Sequence, residues 1–165
     1  MKELLVIRHG KSSWSDPSWS DRERPLKERG RDAARAMGQR LAKRSAVPER
    51  IVTADARRAL DTATILASAA GVGDDTIVVE PQLYTESPPK VLAVVQRLDD
   101  AISRAAVVGH NPALHELLHT VSDLRLGKYP TAAVAHLRWP VKRWRDVAGA
   151  SAEVVDYDWP KSGRS

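Results

Sequence analysis

An α/β architecture, three layers deep, with a mainly parallel central sheet and helices on both faces, is what this 165-residue chain predicts. Three observations predict it. Leu4-Leu5-Val6-Ile7 is an unbroken apolar run that ends in polar, glycine-containing sequence, as a strand buried on both faces does. Similar short runs recur at residues 50–53, 76–79 and 105–108. Each is followed by a helical pattern, and strands alternating with helices at this spacing build parallel sheets.

The first helix is expected to begin near Lys27, because Leu26, Gly30, Ala33, Ala34, Met37 and Leu41 share one face while Arg31, Arg35 and Arg40 lie elsewhere. Pro48 closes the loop that follows. A second helix is expected over 56–70, with Asp55 capping its start and Gly71 supplying a left-handed residue at its end. Ser87 and Pro88 suit the cap and first position of a third helix reaching Leu98, and Asn111 and Pro112 repeat that device for a fourth. Beyond Val121 the chain reads as loop to Pro130, and residues 133–139 and 153–159 read as two further strands. Residues 10–25 show no hydrophobic period, and a loop that long in a small domain is more often functional than idle.

Composition bounds the chemistry. With 42% hydrophobic and 28% charged residues, 1–165 is expected to form one domain. No apolar stretch is long enough to cross a bilayer, and Met1-Lys2-Glu3 leads into a strand without a secretory h-region, so a cytoplasmic protein with no membrane partner is expected. The absence of cysteine excludes disulfides, thiolate zinc sites and thiol nucleophiles. A net charge of +5 and a pI near 9.7 favour anionic ligands. Basic and aromatic residues interleave over 136–145 as they would in a strand that stacks bases, but a strand pair at a sheet edge reads the same, and no nucleic-acid partner is expected.

Ligands of open α/β sheets bind at the carboxyl ends of the strands, so the residues just after each expected strand are the candidates. They are Arg8, His9 and Gly10; Arg58, in the first turn of its helix; Thr85 and Glu86; and His110 beside Asn111. This set suits phosphoryl transfer. Guanidinium forks grip non-bridging oxygens, and a neutral His9 can attack phosphorus to give a phosphohistidine that water hydrolyses. His110, if protonated, adds a donor, and backbone amides after Gly10 or at Asn111 complete an anion cradle, with Gly10 allowing close main-chain approach. No metal and no other cofactor is required.

These residues also carry a resemblance. Leu5-Val6-Ile7-Arg8-His9-Gly10-Lys11-Ser12 resembles the RHG motif of the histidine phosphatase superfamily, the phosphoglycerate mutase-like fold. Asp21-Arg22-Glu23-Arg24-Pro25-Leu26 with Arg29-Gly30, Arg58-Ala59-Leu60-Asp61-Thr62 and Val107-Val108-Gly109-His110-Asn111-Pro112 look most like its compact SixA-type phosphohistidine phosphatase branch. The likeness runs from residue 4 to 117, with a last trace at Pro130-Thr131-Ala132-Ala133. It implies a histidine-phosphatase-like fold, His9 as nucleophile, and Arg8, Arg58 and His110 as the phosphate pocket, with Ser15 at a position where larger relatives place a phosphate-binding residue. It departs at the general acid. Many relatives carry a carboxylate where Thr85 stands here, which makes Glu86, one residue later, the candidate acid. A protonated imidazole leaves without the acid an alkoxide needs, so weakness there favours P–N over P–O substrates. The partner implied is a phosphorylated protein, or else a small phosphorylated substrate.

Other readings compete. His115-Glu116-Leu117-Leu118-His119 is a literal H-E-x-x-H, but Leu114, Leu117, Leu118 and Val121 form the buried stripe of that helix, and a zinc peptidase is not expected. Gly10-Lys11-Ser12 imitates the end of a P-loop, but Leu5 stands where its first glycine belongs. A phospholigand-binding module needs less than the two histidines present, and a mutase needs lid sequence that this short chain lacks.

Overall fold

Leu4, Leu5, Val6 and Ile7 are each no more than 1% exposed, because the strand they form lies inside the sheet with other strands on both sides. The computed structural model describes residues 1–147 and 151–165. In chain order the main elements are β1 (Lys2–Arg8), α1 (Glu28–Lys43), β2 (Arg50–Thr53), α2 (Arg57–Ala70), β3 (Ile77–Val79), α3 (Pro88–Gln96), β4 (Arg104–Gly109), α4 (Ala113–Val121), β5 (Val134–Trp139) and β6 (Glu153–Asp158). The sheet runs β3-β2-β4-β1-β5-β6. Its first four strands are parallel, and β5 runs antiparallel to both of its neighbours, β1 and β6. The expected mainly parallel sheet is therefore present, with an antiparallel margin.

This strand order decides where a ligand can sit. From β1 the chain steps through α1 to β2 and through α2 to β3, moving one way along the sheet. From β3 it returns through α3 to β4 and moves the other way through α4. Right-handed crossovers put α1 and α2 on one face and α3 on the other; α1 does pack on α2, and α4 joins the second face by packing on α3. The neighbours β1 and β4 thus send the chain to opposite faces, and the gap between their carboxyl ends is the switch point where such sheets bind ligands.

Local chemistry explains the helix ends, with two corrections. Gly71 closes α2 at φ 80°, and the Ser87 hydroxyl accepts from the Lys90 amide ahead of Pro88, as expected. Asp55, however, does not cap α2. The cap position is Ala56, and Asp55 pairs with Arg22 at 3.4 Å. Asn111 does not cap α4 either; Pro112 takes that place, and the Asn111 amide donates to the Tyr129 carbonyl at 2.9 Å. The third helix ends at Gln96, two residues short of Leu98, and Thr76 belongs to a 3-10 turn ahead of the short edge strand β3.

The long loop is pinned at both ends. Ser12 pairs with Leu26, the Ser13 amide donates to the Pro25 carbonyl, and a 3-10 turn over Asp21–Glu23 is closed by reciprocal Ser20 and Glu23 bonds. A Cβ on Gly30 would lie 2.2 Å from the Lys11 carbonyl oxygen, and one on Gly10 would lie 2.8 Å from the Gly30 oxygen. Strand end and helix start are therefore packed backbone to backbone. In the 136–145 segment His136, Trp139 and Trp144 are buried, and the Trp144 indole donates to the Ile102 carbonyl at 2.8 Å. These rings belong to the core and are not presented for base stacking. No described helix is long and apolar enough to cross a membrane.

Candidate active site

His9 is held by the sheet itself. Its amide donates to the Gly109 carbonyl at the end of β4 (3.1 Å), and its own carbonyl accepts from the Ala132 amide on the β5 side (3.0 Å). The ring is 7% exposed, with Nδ1 2.7 Å from the Gly10 carbonyl oxygen. A carbonyl only accepts, so Nδ1 carries the proton and Nε2 keeps its lone pair. Burial pushes the His9 pKa down to about 3; the Gly10 bond opposes this, while His110, Arg58 and Arg8 reinforce it. At neutral pH the ring is an uncharged imidazole, the form that attacks phosphorus.

His110 lies beside it, with ring centroids 5.1 Å apart. Its Nδ1 is 3.4 Å from Arg58 Nη2, which can only donate, so the His110 proton sits on Nε2. Burial, and then the charge of Arg58, lowers the His110 pKa to about 4. The expectation that protonation makes His110 a donor is thus modified: the neutral ring already points an N–H from Nε2. That Nε2 is buried without a hydrogen-bond partner among the described residues, as are Arg8 Nε and Asn111 Oδ1. Buried donors are rarely left unmatched. Two of them beside one nucleophile define a place for an oxyanion.

The arginines come from different elements. Arg8 ends β1 and is anchored by donation to the Tyr129 carbonyl at 3.0 Å. Arg58, in the first turn of α2, donates to the Asp21 carbonyl (2.7 Å) and to its carboxylate (2.9 Å). His9 and Arg58 stand between two adjoining cavities of about 330 Å³ each. One is lined by Asp21, Tyr84, Thr85, Glu86, His110 and Asn111, the other by Arg8, Lys11, Ser12, Trp14, Arg24, Lys27 and Thr131.

The remaining sequence candidates fare differently. The Gly10 amide is not free for an anion, since it donates to Thr62 Oγ1 (2.9 Å), which in turn donates to the Arg58 carbonyl (2.7 Å). Gly10 therefore serves close packing and ties β1 to the helix that carries Arg58. Ser15 is exposed, bonds Ser13, and lies outside both linings. Asn111 lines the first cavity with its amide committed to Tyr129. Glu86 reaches the same rim but is exposed, with no hydrogen bond to the described residues. His115 and His119 point their Nε2 atoms at the Leu126 carbonyl (2.8 Å) and amide (3.1 Å), so this pair fastens the loop after α4.

Sequence reasoning missed Asp21 and Tyr84. Burial opposes ionisation of Asp21, but bonds from Tyr84, Arg58 and Arg24 outweigh it and hold the carboxyl far below its usual range. Tyr84 also sets its ring edge-on to His110, 5.3 Å between centroids. The Asp21-to-Arg24 run was visible as a motif, but a loop without periodicity does not show where its side chains return.

The model of the histidine phosphatase superfamily (branch 1) matches residues 4–84. An uncharacterized protein of Mycobacterium tuberculosis is 31% identical over 94% of this chain and 100% of its own length. A protein histidine phosphatase SixA complexed with tungstate superposes with a TM-score of 0.80 at 20% identity, covering 96% of this chain and 97% of that one. A mycobacterial glucosyl-3-phosphoglycerate phosphatase complexed with VO3 does so with a TM-score of 0.66 at 20% identity, covering 96% of this chain and 100% of that one. With Arg8-His9-Gly10 closing the first strand and Arg58 and His110 converging on it, the chain belongs to the histidine phosphatase superfamily, branch 1, and has the fold of its SixA-type members.

Proposed function

We propose that this protein, a phosphatase by family, removes phosphate from phosphohistidine in proteins, without a metal, through a phosphoryl-enzyme intermediate on His9. The observation that carries the reading is the tautomer of His9. Its Nδ1–H is spent on the Gly10 carbonyl, so the lone pair of Nε2 is presented beside Arg8, Arg58 and the Nε2–H of His110. Nε2 attacks phosphorus in line, the P–N bond to the substrate imidazole, protonated on its other ring nitrogen, breaks, and that ring takes the electron pair and leaves neutral. Water then cleaves the new P–N bond, returning neutral His9 and inorganic phosphate. The guanidiniums and His110 meet the charge on the equatorial oxygens throughout, the role metal ions play in other phosphoryl-transfer sites. The tungstate bound in the SixA structure, an oxyanion of phosphate-like shape, accords with a pocket of this kind.

The weak acid supports the P–N choice. At the rim Asp21 is spent as the ionised partner of Arg58, Arg24 and Tyr84, which leaves Thr85 and an exposed, unpartnered Glu86, and an imidazole leaves with far less help than an alkoxide. The test compares turnover of a phosphohistidine peptide with a panel of phosphomonoesters, with chelator present. Preference for the peptide is expected, and His9→Ala is expected to lower turnover on the order of 10⁴-fold while some phosphate affinity remains. Full activity in His9→Ala would remove it as nucleophile, loss to chelator would contradict the metal-free route, and monoester preference that vanishes in Glu86→Gln would make this a phosphomonoesterase with Glu86 as acid.

A further inference from the structure

Lys11, Arg29, Lys128 and Lys161 face a common cavity of about 360 Å³ beside the catalytic pocket. They come from four separate places: the loop after β1, the first turn of α1, the loop before β5, and the 3-10 turn after β6. All four are exposed, and among the described residues none has an ion pair or a side-chain hydrogen bond. Lys27, Lys90, Lys142, Arg143 and Arg145 are exposed without an ion pair among the described residues as well, but none of them lines this cavity. What sets the four apart is that they share one concavity whose lining holds no carboxylate. Three of them are close enough to oppose one another: Arg29 and Lys161 press the Lys11 pKa downward, as does the neighbouring Lys27. Like charges gathered around a concavity without counterions focus a positive potential on whatever enters it.

The basin adjoins the reaction site. Lys11 and Thr131 line both it and the cavity that holds Arg8, His9 and Arg58. Whatever extends from a phosphate seated at His9 toward this side therefore meets four cations. Beside them the half-buried Trp159, stacked on Tyr157 at 5.1 Å, adds an apolar wall. A second phosphate on a small molecule would use one or two cations. Cations from four segments, spread along an apolar wall, fit an extended chain bearing several acidic side chains, which advances about 3.3 Å per residue.

We infer that the basin formed by Lys11, Arg29, Lys128 and Lys161 is a docking site for an acidic peptide segment flanking the phosphorylated residue of a protein substrate. This rests on the phosphohistidine-protein reading above and assigns the substrate a charge pattern that reading leaves open. Binding is electrostatic and largely solvent-exposed, so it weakens as salt shortens the Debye length from about 10 Å at 0.1 M.

The test uses two phosphohistidine peptides of equal length, one flanked by Asp and Glu, the other by Asn and Gln, with phosphoramidate as a small P–N substrate. At low salt the acidic peptide is expected to have kcat/KM about tenfold higher, mainly through KM, as several exposed charge pairs acting together would give. In K128E/K161E, where neither side chain has a partner to lose, that preference should fall to parity or reverse, with phosphoramidate turnover unchanged. Equal kcat/KM for the two peptides in the parent protein, or a preference that survives in K128E/K161E, overturns the inference while leaving the proposed function intact. If neither peptide is hydrolysed, the function falls separately, and direct titration with the unphosphorylated acidic peptide decides the docking: binding lost in K128E/K161E upholds it, and no binding ends it. Selective loss in K128E/K161E of affinity for a small bisphosphorylated compound, with acidic peptide unaffected, would also overturn it.

Discussion

At the scale of residues, the site works because each polar atom has its direction assigned by a partner that can play only one role. The Gly10 carbonyl orients His9, the Arg58 guanidinium orients His110, and the Tyr129 carbonyl accepts from both Arg8 and Asn111. Arg58 is the hub, since both of its terminal nitrogens bond Asp21 while Nη2 also sets the His110 tautomer. Lysine keeps the charge but has no planar fork to bond Asp21 twice and His110 at once. Arg58→Lys is therefore expected to lower kcat/KM about 10²–10³-fold, the usual loss when one preorganised donor to a developing oxyanion is removed. Steady-state kinetics check this. A variant within threefold of the parent would show that charge alone suffices and that the geometry around Asp21 is incidental.

At the scale of elements, two glycines near helix ends separate contact from conformation. A methyl on Gly30 meets the Lys11 carbonyl from a neighbouring backbone that cannot yield, so Gly30→Ala should cost about 3 kcal/mol and lower turnover by shifting the turn that follows His9. Gly71 sits at φ 80° with nothing within 4 Å of the added carbon, so Gly71→Ala should cost about 1 kcal/mol of backbone strain and leave turnover unchanged. Urea denaturation and kinetics on both variants check the pair; equal effects would refute the close packing of loop on helix. The same distinction governs what could be read from sequence. Strands β1, β2 and β4 announce themselves by short apolar runs and α1 by one apolar face, so the strand ends that precede His9 and His110 and the helix start that carries Arg58 were legible. The cap at Asp55 was not, because an arginine 33 residues away competes for that carboxylate. Asp21 and Tyr84 were not, because their positions depend on tertiary return of a loop and a 3-10 turn, which no local period encodes.

At the scale of the whole molecule, the reactive state of the site carries a cost in acid. His9 and His110 have folded pKa values of about 3 and about 4, well below the ordinary value of 6.5, and burial pushes His136 in the same direction. Between those values and 6.5 the unfolded chain binds protons that the folded chain refuses, so stability rises with pH across this window and is lost as pH falls from about 6.5. Asp21, Asp158 and Glu3 have the same sign but a lower window, since their carboxyls are held below the usual carboxylate range and their contribution fades only at more acidic pH. Acid unfolding is thus expected in two stages, with the histidine stage removing roughly 1–2 kcal/mol per site-forming ring between pH 7 and pH 5. Urea midpoints at constant m-value measure it. In His9→Gln/His110→Gln the decline from pH 7 to 5 should shrink to the part owed to His136, while the carboxylate stage persists at lower pH. The slope, and not the absolute stability, is the readout, so a less stable variant remains informative. A parent protein equally stable at pH 7 and 5, or a double variant with the parent's slope, would mean that the two rings are not held neutral by their surroundings, and with that the tautomer argument for His9 as nucleophile would lose its footing.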